Sequence, residues 1–308
     1  MASLTNKIDF AVVLSVKHAN PNGDPLNGNR PRVNYDGIGE ISDVCIKRKI
    51  RNRLMEVKED EEHKYQIFVQ SDDNRLDDYR SLRERAEKEL SKDAISDEKK
   101  LREEACKKWI DVRAFGQVFA FKGAGKKKSK KKEGEEETDD KGVSVGIRGP
   151  VSIHSAFSVL PVNDKVTSIQ ITKSVSGEGD GSKRGSDTMG MKHRVDHGVY
   201  VFYGSMNPQL ATKTGFSDND ATAIKEVLKK LFENDASSAR QEGSMEVVKL
   251  FWWQHNCPSG QYSSAKVHRT LNVKFEPKPD KPEPKSSEDY NITTVDLNGL
   301  DPEVIEGL

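Results

Sequence analysis

A loop near the N-terminus carries residue types suited to holding a polyanion. Residues 20–32 read NPNGDPLNGNRPR, and the glycines and prolines shape a backbone that can approach a ligand closely. Asn20 and Asn22 supply amides, and Arg30 and Arg32 supply cations. The loop alone therefore predicts contacts to phosphate groups.

A predicted helix after this loop adds a second group of cations. Its sequence, ISDVCIKRKIRNRL, repeats apolar residues at helical spacing after a capping Ser or Asp. Lys47 and Arg51 are four residues apart and share a flank of the helix, with Arg48 further round. Only Asp43 is close enough in sequence to offset them. A solvated amphipathic helix is the simpler interpretation, but the nearby loop arginines favour a phosphate-binding surface.

A glycine-rich stretch forms the second candidate surface. Residues 174–190 read SVSGEGDGSKRGSDTMG and lead into KHRVDHG, which is long for a turn between strands. This mixture of cations and flexible apolar side chains suits an extended finger over nucleic acid; a disordered surface loop is the alternative. Its candidate contacts are Lys183, Arg184, Met189, Lys192, His193 and Arg194.

Catalytic and metal-binding patterns are sparse. His193 and His197 have H-x-x-x-H spacing, but no third ligand is marked by the sequence, so we predict neither a metal site nor a cofactor.

Asp24 in the opening loop is the one candidate acid, because a carboxylate near an RNA phosphate can hold a divalent ion for backbone cleavage. Trp252 and Trp253 lie in an apolar strand and are expected in the core or at a subunit contact, although base stacking is an alternative.

Composition excludes a global basic field. Lys+Arg and Asp+Glu both number 50, so any nucleic-acid binding must come from local surfaces. Three dispersed cysteines favour reduced thiols, and the absence of a long apolar run argues against membrane insertion, so we expect a cytoplasmic protein.

Residues 122–142 join a lysine block to an acidic block and are predicted to be a disordered loop.

The order of predicted elements favours an α+β fold. Apolar residues alternate from Ile8 to Val16, which predicts a first strand with one strongly apolar face, and the basic helix follows. Further strands and a helix capped by Ser217 and Asp220 come after a polar helical insertion that we expect to pack loosely on the main body. This order fits a ferredoxin-like sandwich in which two helices cover one face of an antiparallel sheet.

The same motifs resemble a known family. The loop and basic helix look like the signature of the backbone subunit of CRISPR Cascade complexes, the Cas-seven family of the RAMP superfamily, in its type I-C (Csd) branch. The segments DVRAFGQVF, IRGPVSIHSAFSVLPV and MGMKHRVDHGVYVFYG extend the resemblance in the same order. It covers nearly the whole chain except the charged block, which matches no family element.

The resemblance implies a hand-like, modified RNA-recognition (RRM) fold with palm, fingers and thumb. The first part of the palm would be residues 1–71, and the helical fingers 72–146. Palm strands would occupy residues 147–173, the thumb loop 174–198 and the second part of the palm 199–274. Residues 275–308 would be a linker and a C-terminal edge strand, formed by YNITTVD at residues 290–296.

The resemblance also implies a function. The chain would be a non-catalytic RNA-binding subunit that oligomerises head to tail along the CRISPR guide RNA (crRNA). It would present the guide for pairing with a target DNA strand in antiviral defence, beside the small, large and guide-processing Cascade subunits. The alternative is a metal-dependent endonuclease that cleaves target RNA through Asp24, as related type III subunits do.

Overall fold

The computed structural model describes residues 3–60, 63–121, 143–173 and 188–308. The charged block 122–142 and most of the glycine-rich stretch lie outside the described residues. The strands in chain order are β1 Ile8–Ala19, β2 Gly23–Asp24, β3 Arg30–Pro31, β4 Ile38–Ile41, β5 Gly116–Phe121, β6 Val143–Arg148, β7 Val151–Ile153, β8 Ala156–Pro161, β9 Val166–Lys173, β10 Thr188–Met206, β11 Met245–Gln254, β12 Leu271–Phe275, β13 Tyr290–Thr294 and β14 Glu303–Glu306. The α-helices are α1 Asp43–Leu54, α2 Leu82–Glu89, α3 Lys92–Ser96, α4 Glu98–Lys108, α5 Ile110–Phe115, α6 Pro208–Thr214, α7 Asp218–Leu228 and α8 Ser264–His268.

A large antiparallel sheet organises the chain. Its order is β14-β11-β1-β10-β8-β4, and β7 and β9 also pair with β10. The pairings within this sheet are antiparallel. The fold is therefore mixed α/β, with helices packed on a large antiparallel sheet.

Strand β1 is central and buried on both faces. Phe10, Val12 and Leu14 enter the main core beneath the helices. Ala11 and Val13 enter a second core on the opposite face, which β12 and β13 help to cover. The predicted strongly apolar face is the one in the main core, and the other face, with Ala11 and Val13, also meets an apolar layer.

Two of the predicted helices lie on one face of the sheet. Helix α1 buries Ile46 and Ile50 in the main core, and α7 buries Ile224 there. The reciprocal capping box between Ser217 and Asp220 at the start of α7 is present, as the sequence predicts. Packing of α1 and α7 on this face fixes the position of the basic helix.

The helical insertion has a hydrophobic core of its own. Helices α2 to α4 and the β5–β6 hairpin pack around Phe68, Trp109 and Phe119. The ring centroid of Phe68 lies 4.6 Å from that of Trp109 and 5.1 Å from that of Phe119. This core is separate from the main core, and it forms because the sparse apolar residues of this polar segment are brought together with aromatics that flank it.

A strand forms within the C-terminal segment YNITTVD, but it is not part of the large sheet. Residues 290–294 form β13, which pairs with β12 in a separate two-stranded sheet. One edge of the large sheet is β14, which pairs with β11.

Among the described residues, no helix is both long enough and apolar enough to cross a membrane.

Candidate nucleic-acid interface

The opening loop is braced by its own asparagines. The Asn22 side-chain oxygen accepts hydrogen bonds from both the backbone N–H and the hydroxyl of Ser42, each at 2.9 Å. The buried Asn20 donates its amide to the Asn29 carbonyl at 2.8 Å. Gly28 at the tip has φ +58°, a conformation that glycine adopts at little cost. The predicted amide contacts are therefore internal ones, and they hold the loop against the N-terminus of α1.

Arg30 connects this loop to the strand pair β9–β10. Its Nη1 donates to the Ser168 hydroxyl at 3.3 Å, and that hydroxyl lies 2.7 Å from Nδ1 of His193. Burial and the charge of Arg30 lower the pKa of His193. The imidazole is thus neutral at pH 7, and Arg30 supplies the positive charge at this junction.

Arg32, the other loop arginine, lies near an acid of the same loop. Nη2 of Arg32 lies 3.7 Å from a carboxylate oxygen of Asp24, and the Arg32 side chain is 37% exposed. At that distance in a solvated setting the pair is weak. Arg32 remains available to an anion that approaches the loop.

The strand pair β9–β10 separates the predicted thumb residues onto two faces. Its register places Met191 opposite Gln170 and His193 opposite Ser168, so Met189, Met191 and His193 share one face. Lys192 and Arg194 alternate onto the other face. Residues 188–198 were expected to belong to a flexible loop, but they continue the long strand β10. Lys183 and Arg184 lie outside the described residues.

Lys192 and Arg194 differ in their electrostatic surroundings. Nε of Arg194 lies 3.6 Å from Asp196, whose carboxylate also accepts the Thr167 hydroxyl at 2.7 Å. Within the described part of the chain, Lys192 has no acidic partner within ion-pair distance. It is therefore the less compensated cation of this strand.

Most cations of the basic helix are neutralised, two by acids near in sequence and two by acids distant in sequence. Lys47 pairs with Asp43 as expected, at 3.0 Å. The other ion pairs of this helix join the buried Lys49 to Asp235, Arg51 to Asp111 and Arg53 to Glu56. The prediction that only Asp43 offsets these charges was wrong, because Glu56 lies three residues beyond Arg53 and tertiary packing brings Asp111 and Asp235 to the helix.

Arg51 has a structural partner. Its Nε donates to the buried Asp111 at 2.9 Å, and Asp111 also accepts the backbone N–H groups of Phe68 and Val69 at 2.7 and 3.0 Å. The Arg51 side chain is only 11% exposed. Arg51 therefore ties α1 to the chain entering the insertion, rather than presenting a free charge as predicted.

Arg48 retains an uncompensated charge on α1. Its Nη1 donates to the Val69 carbonyl at 2.6 Å, and no carboxylate of the described residues forms an ion pair with it. Burial and the neighbouring Arg51 lower the pKa of Arg48, but an arginine stays cationic at neutral pH. Of the predicted helix cations, Arg48 is the best placed to attract a phosphate.

Arg240 is a residue that sequence reasoning missed. It lies 3.2 Å from Asp235 and donates to the Asn20 carbonyl at 3.5 Å, while the Asn20 N–H donates to the Ala239 carbonyl at 2.9 Å. The loop around residue 240 therefore flanks the opening loop. No local motif marks Arg240, since only the fold brings it there.

The Asp24 carboxylate is hydrogen-bonded within its own loop. Its carboxylate accepts the Leu26 N–H at 3.1 Å and caps a short 3-10 turn. In the ranges that the structure describes, no group of three His, Cys, Asp or Glu residues could hold a metal ion.

The tryptophan tract belongs to the core. Trp252 and Trp253 are 4% and 1% exposed, which confirms the core prediction against base stacking. His255 at the end of the tract is buried and lies 2.9 Å from Asp9. Burial raises the pKa of Asp9, but its hydrogen bond to His255 and the charge of Lys7 bring it below its ordinary value.

The comparisons with known proteins agree on one family. The family model of CRISPR-associated protein Cas7 matches residues 6–295, and the chain therefore belongs to that family. A CRISPR-associated protein Cas7 of Haloferax volcanii is 25% identical over 244 residues, which are 77% of this chain and 67% of that protein.

Two solved structures extend the comparison at lower similarity. A chain of a CRISPR RNA-guided surveillance complex, pre-nicking, is 15% identical with a TM-score of 0.42, covering 80% of this chain and 75% of that chain. A chain of another CRISPR RNA-guided surveillance complex is 14% identical with a TM-score of 0.38, covering 80% and 68%.

Proposed function

We propose that this Cas7-family chain is the RNA-binding backbone subunit of a type I-C CRISPR surveillance complex. Copies assemble head to tail along one guide RNA and present it for pairing with target DNA. The target sequence is then recognised by base pairing with the guide, while the protein contacts the RNA backbone and recognises its shape. The other partners are the small, large and guide-processing subunits of the complex.

The observation that carries this proposal is the junction of Arg30, Ser168 and His193. It joins the opening loop to β9–β10, so the two basic surfaces predicted from separate parts of the sequence adjoin. Lys192, next to His193 in sequence, lies on the other face of the same strand. Basic residues gathered around this junction suit a strand of RNA, whose phosphates recur at regular intervals.

The parts of the hand follow from this assignment. The large sheet with α1 and α7 serves as a modified RNA-recognition palm. The separately packed insertion serves as the fingers, and β9–β10 with the residues beyond them serves as the thumb. RNA then runs between the opening loop and the thumb strands.

The balanced charge of the chain fits an oligomer. With equal numbers of acidic and basic residues, one protomer has no global attraction for nucleic acid. Several protomers on one RNA add their local contacts, so strong binding does not require a large net charge on each. Neutral protomers also pack without strong mutual repulsion.

Replacement of Arg30 tests the proposed interface. Each phosphate contact to a single strand contributes about 0.7 to the slope of log affinity against log salt. Arg30→Ala should reduce that slope by about this amount in a salt titration of guide RNA binding. Arg83→Ala, an exposed arginine on α2, is the matched control and should leave the slope unchanged. An unchanged slope in Arg30→Ala would remove the central contact from the interface.

A further inference from the structure

An apolar groove lies on the sheet face opposite α1 and α7. It has a volume of about 380 Å³, its floor is the sheet itself, and one wall is strand β12. None of its lining residues belongs to the proposed RNA interface. The floor residues are Phe157 and Val159 of β8 and Val201 and Tyr203 of β10.

The apolar floor extends beyond the layer that covers it. The two-stranded sheet β12–β13 packs on the second core, but the Phe157 side chain on β8 remains 45% exposed. Phe157 lies opposite Val201 in the β8–β10 pairing, so its ring continues the same apolar surface. The covering layer therefore ends at β12, whereas the apolar surface beneath it continues to β8.

The backbone of β12 is unpaired on the groove side. The Val295 N–H donates to the Thr270 carbonyl at 2.9 Å, so these two residues form a hydrogen-bonded pair. Such pairs alternate along an antiparallel ladder, so Asn272 also bonds to β13, whereas the N–H and C=O groups of Leu271 and Val273 point away from it. Among the described strands, β12 pairs only with β13. Since Leu271 and Val273 line the groove, their free backbone groups face it.

A free strand edge beside an apolar floor suits the addition of one more strand. An extended peptide can bond to the unpaired main-chain groups of such an edge, and its alternate side chains then enter the surface below. A strand added to β12 would lie on the groove floor, with its inner side chains against Phe157. The added strand would extend the covering layer across β8.

Charges around the groove indicate which kind of strand it takes. Among the described residues, no Asp, Glu, Lys or Arg lines the groove, and Glu40 lies opposite Phe157 on β4 at the margin of the floor. This surface disfavours a polyanion such as RNA. On the outer face of β12, the exposed Lys274 lies opposite the uncharged Asn291 and forms no ion pair within the described ranges. An acidic residue on the outer face of the added strand would complement it.

The chain itself offers no free segment of this pattern. Its described strands are already paired in sheets, and the sequences outside the described ranges, of which 122–142 is the longest, carry no alternating apolar residues. We infer that the groove binds an extended segment of a different protein subunit, apolar on its inner face and acidic on its outer face, as a third strand beside β12. The inference rests on the proposed function for the source of that subunit.

Amide hydrogen exchange at single-residue resolution tests this inference. The complex purified from cells that express the chain with a CRISPR array and the other subunits is compared with the chain bound to guide RNA alone. We expect the amides of Leu271 and Val273 to exchange about tenfold more slowly in the full complex, because they gain hydrogen bonds there. Those of Asn272 and Lys274 already bond to β13 and should change little.

The outcomes separate this inference from the proposed function. If the Leu271 and Val273 amides exchange at the same rate in both samples, no other subunit adds a strand and the inference is wrong, while the proposed function stands. Protection already present with guide RNA alone would assign the groove to RNA or a second copy, and equal slowing of all four amides would show covering without strand addition. Either result overturns the inference. If the chain does not bind guide RNA, the proposed function fails, and the source named here fails with it.

Variants of the floor supply a second measurement. Phe157→Lys places a charge where apolar side chains should lie, so the slow exchange at Leu271 and Val273 in the full complex should be lost. Phe157→Leu keeps the floor apolar and should retain it. Val118→Lys adds the same charge at an exposed valine of β5 outside the groove and is the matched control. Lys274→Glu, on the exposed outer face, serves if Phe157→Lys does not fold and should also lose the slow exchange. Unchanged protection in the variant that folds would contradict the inference.

Discussion

At the scale of single residues, the same side-chain type has opposite uses in this chain. Arg30 reaches across to β9–β10, whereas Arg51 is fixed on the buried Asp111. Both arginines follow local patterns that suggest phosphate binding. The acid that distinguishes them is sixty residues away in sequence from Arg51, so local pattern alone cannot separate them.

Arg51→Ala should therefore act on stability. Removing one partner of a buried ion pair ordinarily costs about 3 kcal/mol or more, and Asp111 would keep only its two backbone donors. We expect the free energy of unfolding in urea to fall by about 3 kcal/mol. The control Arg83→Ala removes an exposed pair with Glu87 and should cost under about 1 kcal/mol. Equal, small losses in both variants would show that Arg51 is not a buried tie.

Asp24→Asn tests the nuclease alternative at the same scale. Asparagine also caps helical turns, so the short turn after residue 24 should persist and stability should change by under about 1 kcal/mol. We expect guide RNA binding to be preserved and no magnesium-dependent cleavage of a paired target RNA in either protein. Cleavage by the unmodified chain that disappears in Asp24→Asn would contradict the account.

At the scale of elements, the strand pair β9–β10 carries two distinct surfaces. The alternation along β10 puts Met191 beside His193 on one face and Lys192 on the other. Met191 is 57% exposed, which is high for a methionine with no role in the core. The two faces should contribute differently to RNA binding.

Single replacements separate these contributions. Lys192→Ala should lower the salt slope of RNA binding by about 0.7, because it removes one charge from the phosphate path. Met191→Ala should weaken binding without changing the slope, because it removes only apolar contact. Both are measured by the same salt titration of guide RNA. A slope change in Met191→Ala, or none in Lys192→Ala, would contradict the assignment of the faces.

The elements that were predictable are those with strong local signals. Helix α1, the capping box of α7 and strand β1 follow from apolar spacing and cap residues within a few positions. The second face of β1, the core of the insertion and the edge strand β14 depend on partners far away in sequence. The same holds for the site: Arg30 was predictable as a cation, but its junction with Ser168 was not.

At the scale of the whole molecule, charge balance and surface placement agree. Most cations of α1 form ion pairs within the fold, whereas Arg48, Arg30 of the opening loop and Lys192 of β10 form none with the described residues. A protomer organised in this way has little general affinity for polyanions. In the proposed function, affinity comes from several copies that share one strand.

The most direct test of the central claim is the nucleic acid that copurifies with the chain expressed beside a CRISPR array. The account predicts guide-length RNA bound by several copies, with nuclease protection at a regular interval, and loss of most of that RNA in Arg30→Ala/Lys192→Ala at raised salt. A monomer free of RNA, or bound RNA with no periodic protection and no dependence on these two residues, would contradict it.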